Sequence, residues 1–223
     1  ITSGEGLVGN PDEMDWISQW MSASKTYAMK TAKALNANWS AVSQCGWGLC
    51  WGWDGNPDSN IAKHYDKVCS LLDGDLHKSL GSTEPYSFGQ KMDYVILNLG
   101  TNDNSAFIQP VFKDSNGNEH PVDKNIIPQA AASFLQNIRK HNPDAVIIWT
   151  FGMMTLDVFP PLLKQGFDSY VKSSGDKKAF LLELDSMDKI EMLPEDHGSR
   201  GHPGALTHKK AAEKITAFIK NFN

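Results

Sequence analysis

The chain predicts an α/β sandwich, a parallel sheet with helices on both faces, and three observations predict it. The runs "YVILNLG", "AVIIWTFG" and "KAFLLEL" are continuously apolar, as strands covered on both faces are. Segments of helical period lie between them, so strand, helix and strand repeat in order. Short glycine loops follow the strand ends, where ligands gather in sheets of this kind.

The elements follow in order. "ITSGEGLVGN" sets three glycines within nine positions behind a β-branched residue, which reads as a loop leaving a strand. In "TYAMKTAKALNA", Tyr27, Ala28, Thr31 and Leu35 share one face, so a helix is expected from about Lys25 to Asn36. "NWSAVSQ" is a short extended run that ends at the glycines of "GWG". In "SNIAKHYDKVCSLL", Ile61, Tyr65, Val68 and Leu72 recur at helical spacing behind Ser59 as a cap. "MDYVILNLG" reads as a strand buried on both faces. "AFIQPVFKDSNGNEHPVDK" is the one long irregular stretch, a loop or hairpin insertion around an Asn-Gly turn. "NIIPQAAASFLQNIRKHNP" is a helix stopped by Pro143, and "AVIIWTFG" is a second buried strand. A helix near Pro161 to Ser173, a strand at "KAFLLEL" and a last helix with Ala212, Ile215, Ile219 and Phe222 in line complete the count. In a doubly wound sheet the first strand sits in the middle. The pattern therefore predicts a strand immediately ahead of Ile1, shared by "NWSAVSQ" and "MDYVILNLG".

Composition narrows the function. At 223 residues and 24.7 kDa with 40% hydrophobic residues, the chain is long enough for one good core, and one domain is expected. The formal charge is −5 and the pI about 5.8, with Lys and Arg scattered, so nothing marks a nucleic acid or an anionic membrane as partner. The apolar runs are far too short to span a bilayer. Cys45, Cys50 and Cys69 form neither a metal cluster nor an even disulfide set. His64, His77, His120, His197 and His208 show no metal spacing, so no metal and no other cofactor is expected.

Three loops carry candidate chemistry: "CGWG", "GTND" and "GHPG". Taken singly, Gly46 makes a tight turn, Asn102 caps the turn that follows, and His202 is a surface histidine. Taken together they supply two donors for an oxyanion, the Gly46 N–H and the Asn102 amide, and a base, His202. A nucleophile is missing from the set.

This combination resembles the SGNH or GDSL hydrolase superfamily, whose pattern is a Gly-Asp-Ser block, a lone Gly, a Gly-x-Asn-Asp block and a late His. The resemblance implies that superfamily's three-layer sandwich, with a flavodoxin-like parallel sheet. "ITSGEG" matches the continuation of the first block and places the nucleophilic serine immediately before Ile1. Gly46 matches the second block; Gly100, Thr101, Asn102 and Asp103 match the third, with Asn102 the side-chain donor; His202 matches the base. A closer likeness, in "TYAMKTAKALNANWSAVSQCGWGL", "NLGTND", "PDAVIIWTFGMM" and "GHPGALTHKKAAEKI", is to the family two carbohydrate esterases, which remove acetyl groups from plant polysaccharides. It implies a hydrolase domain over residues 1–223, without its first strand, and a β-sandwich module ahead of it.

Two departures bear on the site. Ser3 stands three positions past the family serine, away from the strand end where a nucleophile must sit. The superfamily's Asp, three residues before the base, is replaced by Ser199; either Asp196 reaches His202 through a longer loop or a backbone carbonyl holds its ring N–H. Trp47, Trp51 and Trp53 alternate with glycine beside the oxyanion loop and either fold into the core or line a cleft where a sugar stacks. Met153 and Met154 are packing residues.

The expectation is thus a secreted or periplasmic serine esterase acting on an acetylated oligo- or polysaccharide. The rivals are a lipase or thioesterase of the same fold acting on longer acyl chains, and a carbohydrate-binding protein that has lost catalysis.

Overall fold

The structure, a computed structural model, describes residues 1–188 and 193–222. Its helices are α1 (Tyr27–Ala34), α2 (Ile61–His64), α3 (Asp75–Ser79), α4 (Thr101–Ala106), α5 (Ile127–His141), α6 (Phe159–Ser174) and α7 (Ala205–Lys220). Its strands are β1 (Tyr94–Asn98), β2 (Phe112–Lys113), β3 (Glu119–His120), β4 (Val146–Phe151) and β5 (Ala179–Glu183). The chain divides into two compact units, one of Ile1–Cys45, Thr150–Asp157 and Leu182–Asn223, the other of Gly46–Trp149 and Val158–Leu181.

The second unit holds most of a parallel sheet in the order β1-β4-β5, flanked by helices. The Val146 N–H donates to the Asp93 carbonyl (2.9 Å) and the Ile147 N–H to that of Lys178 (2.8 Å). Central β4 is buried from Ile147 to Thr150, as its unbroken apolar run requires. In β1, at the end of the order, only Leu97 is buried, so the expectation of two covered faces fails there. Helix α5 presents Ile127, Ala131, Leu135 and Ile138 as one buried stripe at helical spacing. Each of its large aliphatic side chains contributes about 2 kcal/mol on leaving water. At the end of α5, Arg139 Nε meets Asp176 (2.9 Å), and its Nη1 donates to the carbonyls of Asn142 (2.9 Å), Pro143 (3.2 Å) and Ala145 (2.6 Å). One guanidinium thereby ties the end of α5 to the approach to β4 and to the turn between α6 and β5. Burial works against the charge of Asp176, but the Tyr170 hydroxyl (2.6 Å), the Lys178 N–H and Arg139 hold its carboxyl below the usual range.

In the first unit α1 packs against α7. His208 of α7 is fully buried; its Nδ1 accepts the Tyr27 N–H (3.0 Å), one of the amides that a helix start leaves without an internal partner. Ala212, Ile215 and Ile219 lie inward as expected, whereas Phe222 falls beyond the helix and is exposed.

Two expectations are corrected. The helix expected from Ser59 to Leu72 is only α2, and its cap is Asn60, whose side chain accepts the Lys63 N–H (2.8 Å). Past Tyr65 the chain pairs instead with a later segment, Val68 N–H to Glu84 and Cys69 N–H to Ser82 (2.9 Å each), which leaves Val68 and Leu72 exposed. "NWSAVSQ" forms no strand: residues 38–44 are exposed, and none of the strands among the described residues lends it the N–H and C=O groups a ladder needs. The irregular stretch does form a hairpin, with Phe112 opposite His120 and Lys113 opposite Glu119. The Asp114 carboxylate holds its Asn-Gly turn through the Asn116 and Asn118 N–H groups (2.9 Å each). No helix among the described residues is long and apolar enough to cross a membrane.

Candidate active site

In the second unit the site begins at the end of β1. Gly100 has φ +118°, and a Cβ there would lie 2.0 Å from the Phe159 ring, so no other residue lets the strand turn straight into α4. That turn sets Asn102 and Asp103 in the first turn of α4, and Asn104 Oδ1 accepts the N–H groups of Val158 (3.1 Å) and Phe159 (3.0 Å) where α6 begins. Asp103 is fully buried and collects the N–H groups of Leu49 (2.7 Å), Cys50 (2.7 Å) and Trp51 (3.3 Å). Burial pushes its carboxyl up to about 6, against the amide bonds that favour its charge. The result is mechanical: the loop after Gly46 is moored to the turn that carries Asn102.

Asn102 Nδ2 donates to the Trp47 carbonyl (2.8 Å). A side-chain amide nitrogen has two hydrogens, so one remains to give. Gly46 has φ +73°; its carbonyl accepts the Trp53 N–H (2.9 Å), and its own N–H donates to no acceptor among the described residues. The tryptophans part company. Trp51 is 5% exposed and meets Phe107 edge-on, so it is a core residue and not a sugar platform. Trp47 is half-buried, 4.6 Å from the His64 ring. Trp53 is 53% exposed beside Gly46 and is the ring of the three with a free face.

In the first unit the glycines of the opening stretch pack under the histidine loop. A Cβ on Gly6 would lie 2.4 Å from the Ser199 carbonyl oxygen, and the Ser199 N–H donates to the Gly6 carbonyl (2.9 Å). The turn Ser199–Gly201 then delivers His202. Its Nε2 is 3.5 Å from Glu5 Oε2, and Glu5 Oε1 accepts from Arg200 Nη1 (2.6 Å). Burial holds the imidazole below its usual range and Arg200 acts in the same sense, while Glu5 and the Ser199 carbonyl oppose. Nδ1 is buried without a hydrogen-bond partner among the described residues. Ser3 Oγ is engaged with Cys45 Sγ (3.0 Å).

Asp196 is placed elsewhere. Its oxygens take Lys210 Nζ (2.9 and 3.0 Å), Thr207 Oγ1 (3.0 Å) and the Leu193 N–H (3.3 Å), contacts that anchor the start of α7. The reading of Asp196 as the group that steadies His202 finds no support in these partners. Sequence reasoning passed over Glu5, Arg200 and the mooring role of Asp103. The one available signal was a charged residue set between two glycines in "GEG".

The fold is that of the SGNH hydrolases. Within that superfamily the chain has the character of the family two carbohydrate esterases. No family model matches it. It is 28% identical over 231 residues to the cellulase/esterase CelE of Acetivibrio thermocellus, covering 99% of this chain and 24% of CelE. Its structure is similar to an acetyl xylan esterase, Est2A, from the rumen bacterium Butyrivibrio proteoclasticus, with TM-score 0.87 and 38% identity. It is similar also to a family two carbohydrate esterase from Clostridium thermocellum in complex with cellohexaose, with TM-score 0.77 and 25% identity. Each of these two matches covers 99% of this chain and 61% of the other.

Proposed function

We propose that the protein is a serine esterase that removes acetyl groups from an oligo- or polysaccharide outside the cell. The likeness to an acetyl xylan esterase over 99% of the chain carries this reading. His202, kept mostly neutral near pH 7 by its burial, takes the proton of the serine that the resemblance places directly ahead of Ile1. In the family's pattern the serine oxygen attacks the acetyl carbonyl carbon and two donors hold the oxyanion, roles that the resemblance assigns to Asn102 Nδ2 and the Gly46 N–H. The imidazolium returns its proton to the departing sugar oxygen. Water then attacks the acetyl-enzyme with the same base, releasing acetate and restoring the serine. Trp53 offers its open face to a sugar ring.

The test is acetate release from acetylated xylan, and hydrolysis of simple acetyl and octanoyl esters, by a protein that includes the residue before Ile1, beside His202→Ala. Acetate release lost in His202→Ala is expected. Preference for the octanoyl ester, or release undiminished in the variant, overturns the proposal.

A further inference from the structure

The superfamily pattern puts a carboxylate three residues before the base, and here that place is Ser199, buried and engaged with Gly6. Asp196 is occupied by Lys210, Thr207 and the Leu193 N–H. The carboxylate on the imidazole is instead Glu5, at 3.5 Å from Nε2 and with its side chain 12% exposed. We infer that Glu5, steadied by Arg200, is the positioning residue that holds His202 and favours its protonated form, a role that rests on the esterase reading above.

The mounting of Glu5 is rigid from both sides. Its neighbours Gly4 and Gly6 both have positive φ; a Cβ on Gly4 would strike the Ser22 carbonyl oxygen at 2.6 Å, and one on Gly6 the Ser199 carbonyl oxygen. The segment is thus wedged between two loops, with Glu5 between the contact points. Arg200 fixes the side chain by taking Oε1, which leaves Oε2 toward the ring. Arg200 does so from a left-handed backbone (φ 57°, ψ 33°), a conformation that a residue with a side chain keeps only where the surroundings enforce it. Its N–H donates to the Glu13 carbonyl (2.9 Å) and its guanidinium reaches Glu5, so both ends are held.

The contact to His202 works through charge, since 3.5 Å is long for a hydrogen bond. The imidazole becomes positive when it accepts the serine proton, and burial opposes that charge. A shielded carboxylate offsets the burial where water cannot. Among the described side chains, Arg200 also acts on the ring, and the Cys45 thiol lies beside Glu5. Arg200 therefore both aims Glu5 and tempers it.

The experiment is an NMR titration of the His202 imidazole in the wild type, Glu5→Gln and Arg200→Gln, with the pH dependence of kcat/KM on a simple acetyl ester measured on the same proteins. Glu5→Gln should lower the His202 midpoint by about one pH unit, and Arg200→Gln should raise it. The acidic limb of kcat/KM should move with each midpoint, and kcat should fall about tenfold in Glu5→Gln. An unmoved His202 midpoint in folded Glu5→Gln overturns the inference. Should that variant not fold, an unmoved midpoint in Glu5→Asp, whose shorter side chain draws the carboxylate back from Nε2, overturns it equally. If the midpoints shift but no protein, the wild type included, hydrolyses acetyl esters, the esterase reading falls and the coupling of Glu5 to His202 stands.

Discussion

His208 makes the stability of the first unit fall with acidity, and its contacts give the size of the effect. The ring is fully buried, stacks on Tyr27 at 6.0 Å and accepts the Tyr27 N–H through Nδ1, so the neutral form is the one that fits. Burial pushes its pKa from the ordinary 6.5 down to about 3, with Lys30 adding to it. A base depressed in the folded state contributes stability that is complete above pH 6.5 and is lost as pH falls through 3. The loss accrues at about 1.4 kcal/mol per pH unit, reaching roughly 5 kcal/mol at the acid end, of which about 3 is gone by pH 4.5. In His208→Asn the amide oxygen can still receive the Tyr27 N–H but cannot titrate. It should be less stable than the wild type by about 2 to 3 kcal/mol at pH 8, because the smaller side chain leaves a cavity. The gap should close by about pH 4.5. Urea unfolding of both proteins at half-unit steps from pH 8 to 4 measures it. Two curves that stay parallel would refute the argument, because His208 would then titrate alike in the folded and unfolded chain.

Asn102→Ala removes an oxyanion donor and should lower kcat by about a hundredfold, equivalent to about 3 kcal/mol, with little change in KM; a kcat left intact removes Asn102 from the mechanism. Trp53→Ala should raise KM for acetylated xylan up to about tenfold while affecting a small acetyl ester less, since the small ester has no ring to stack. Trp51→Ala should do the reverse, lowering the unfolding midpoint through the cavity beside Phe107, by about 3 kcal/mol. Arg139→Met removes the cation beside Asp176 and the donor shared by three carbonyls and should cost about 3 kcal/mol in thermal or urea unfolding. Arg139→Lys should restore little of it, because an ammonium cannot span those acceptors at once.

What could be read in the sequence was whatever a short window encodes. Helices α5, α6 and α7 show their inward faces as apolar residues at helical spacing, and β4 is an unbroken apolar run, so each appears where expected. Gly46, Asn102 and His202 could be singled out because each stands in a glycine-bearing loop beside a regular element. What escaped depends on partners far along the chain. The turn of residues 67–70 onto 82–85 overrides a helical pattern through backbone bonds that carry no local signature. Asp103 reads as the neighbour of Asn102, yet its work is done on amides 52 to 54 residues away. Glu5 meets Arg200 across 195 positions, beyond any spacing rule.

The fate of the three acids explains why the base draws on a distant one. Asp103 is committed to three backbone amides, and moving it would free the loop that holds Gly46. Asp196 is neutralised by Lys210, and its burial is offset by Lys210, Thr207 and the Leu193 N–H, which hold its carboxyl below the usual range; transferring it to His202 would leave Lys210 without its partner. Position 199 carries no acid: it is a buried serine, and the opening stretch lies so close that a Cβ on Gly9 would come within 2.5 Å of its hydroxyl oxygen. The glycines let the opening stretch approach the histidine loop closely. Glu5, carried on that stretch, is the one of the three whose carboxylate reaches the imidazole.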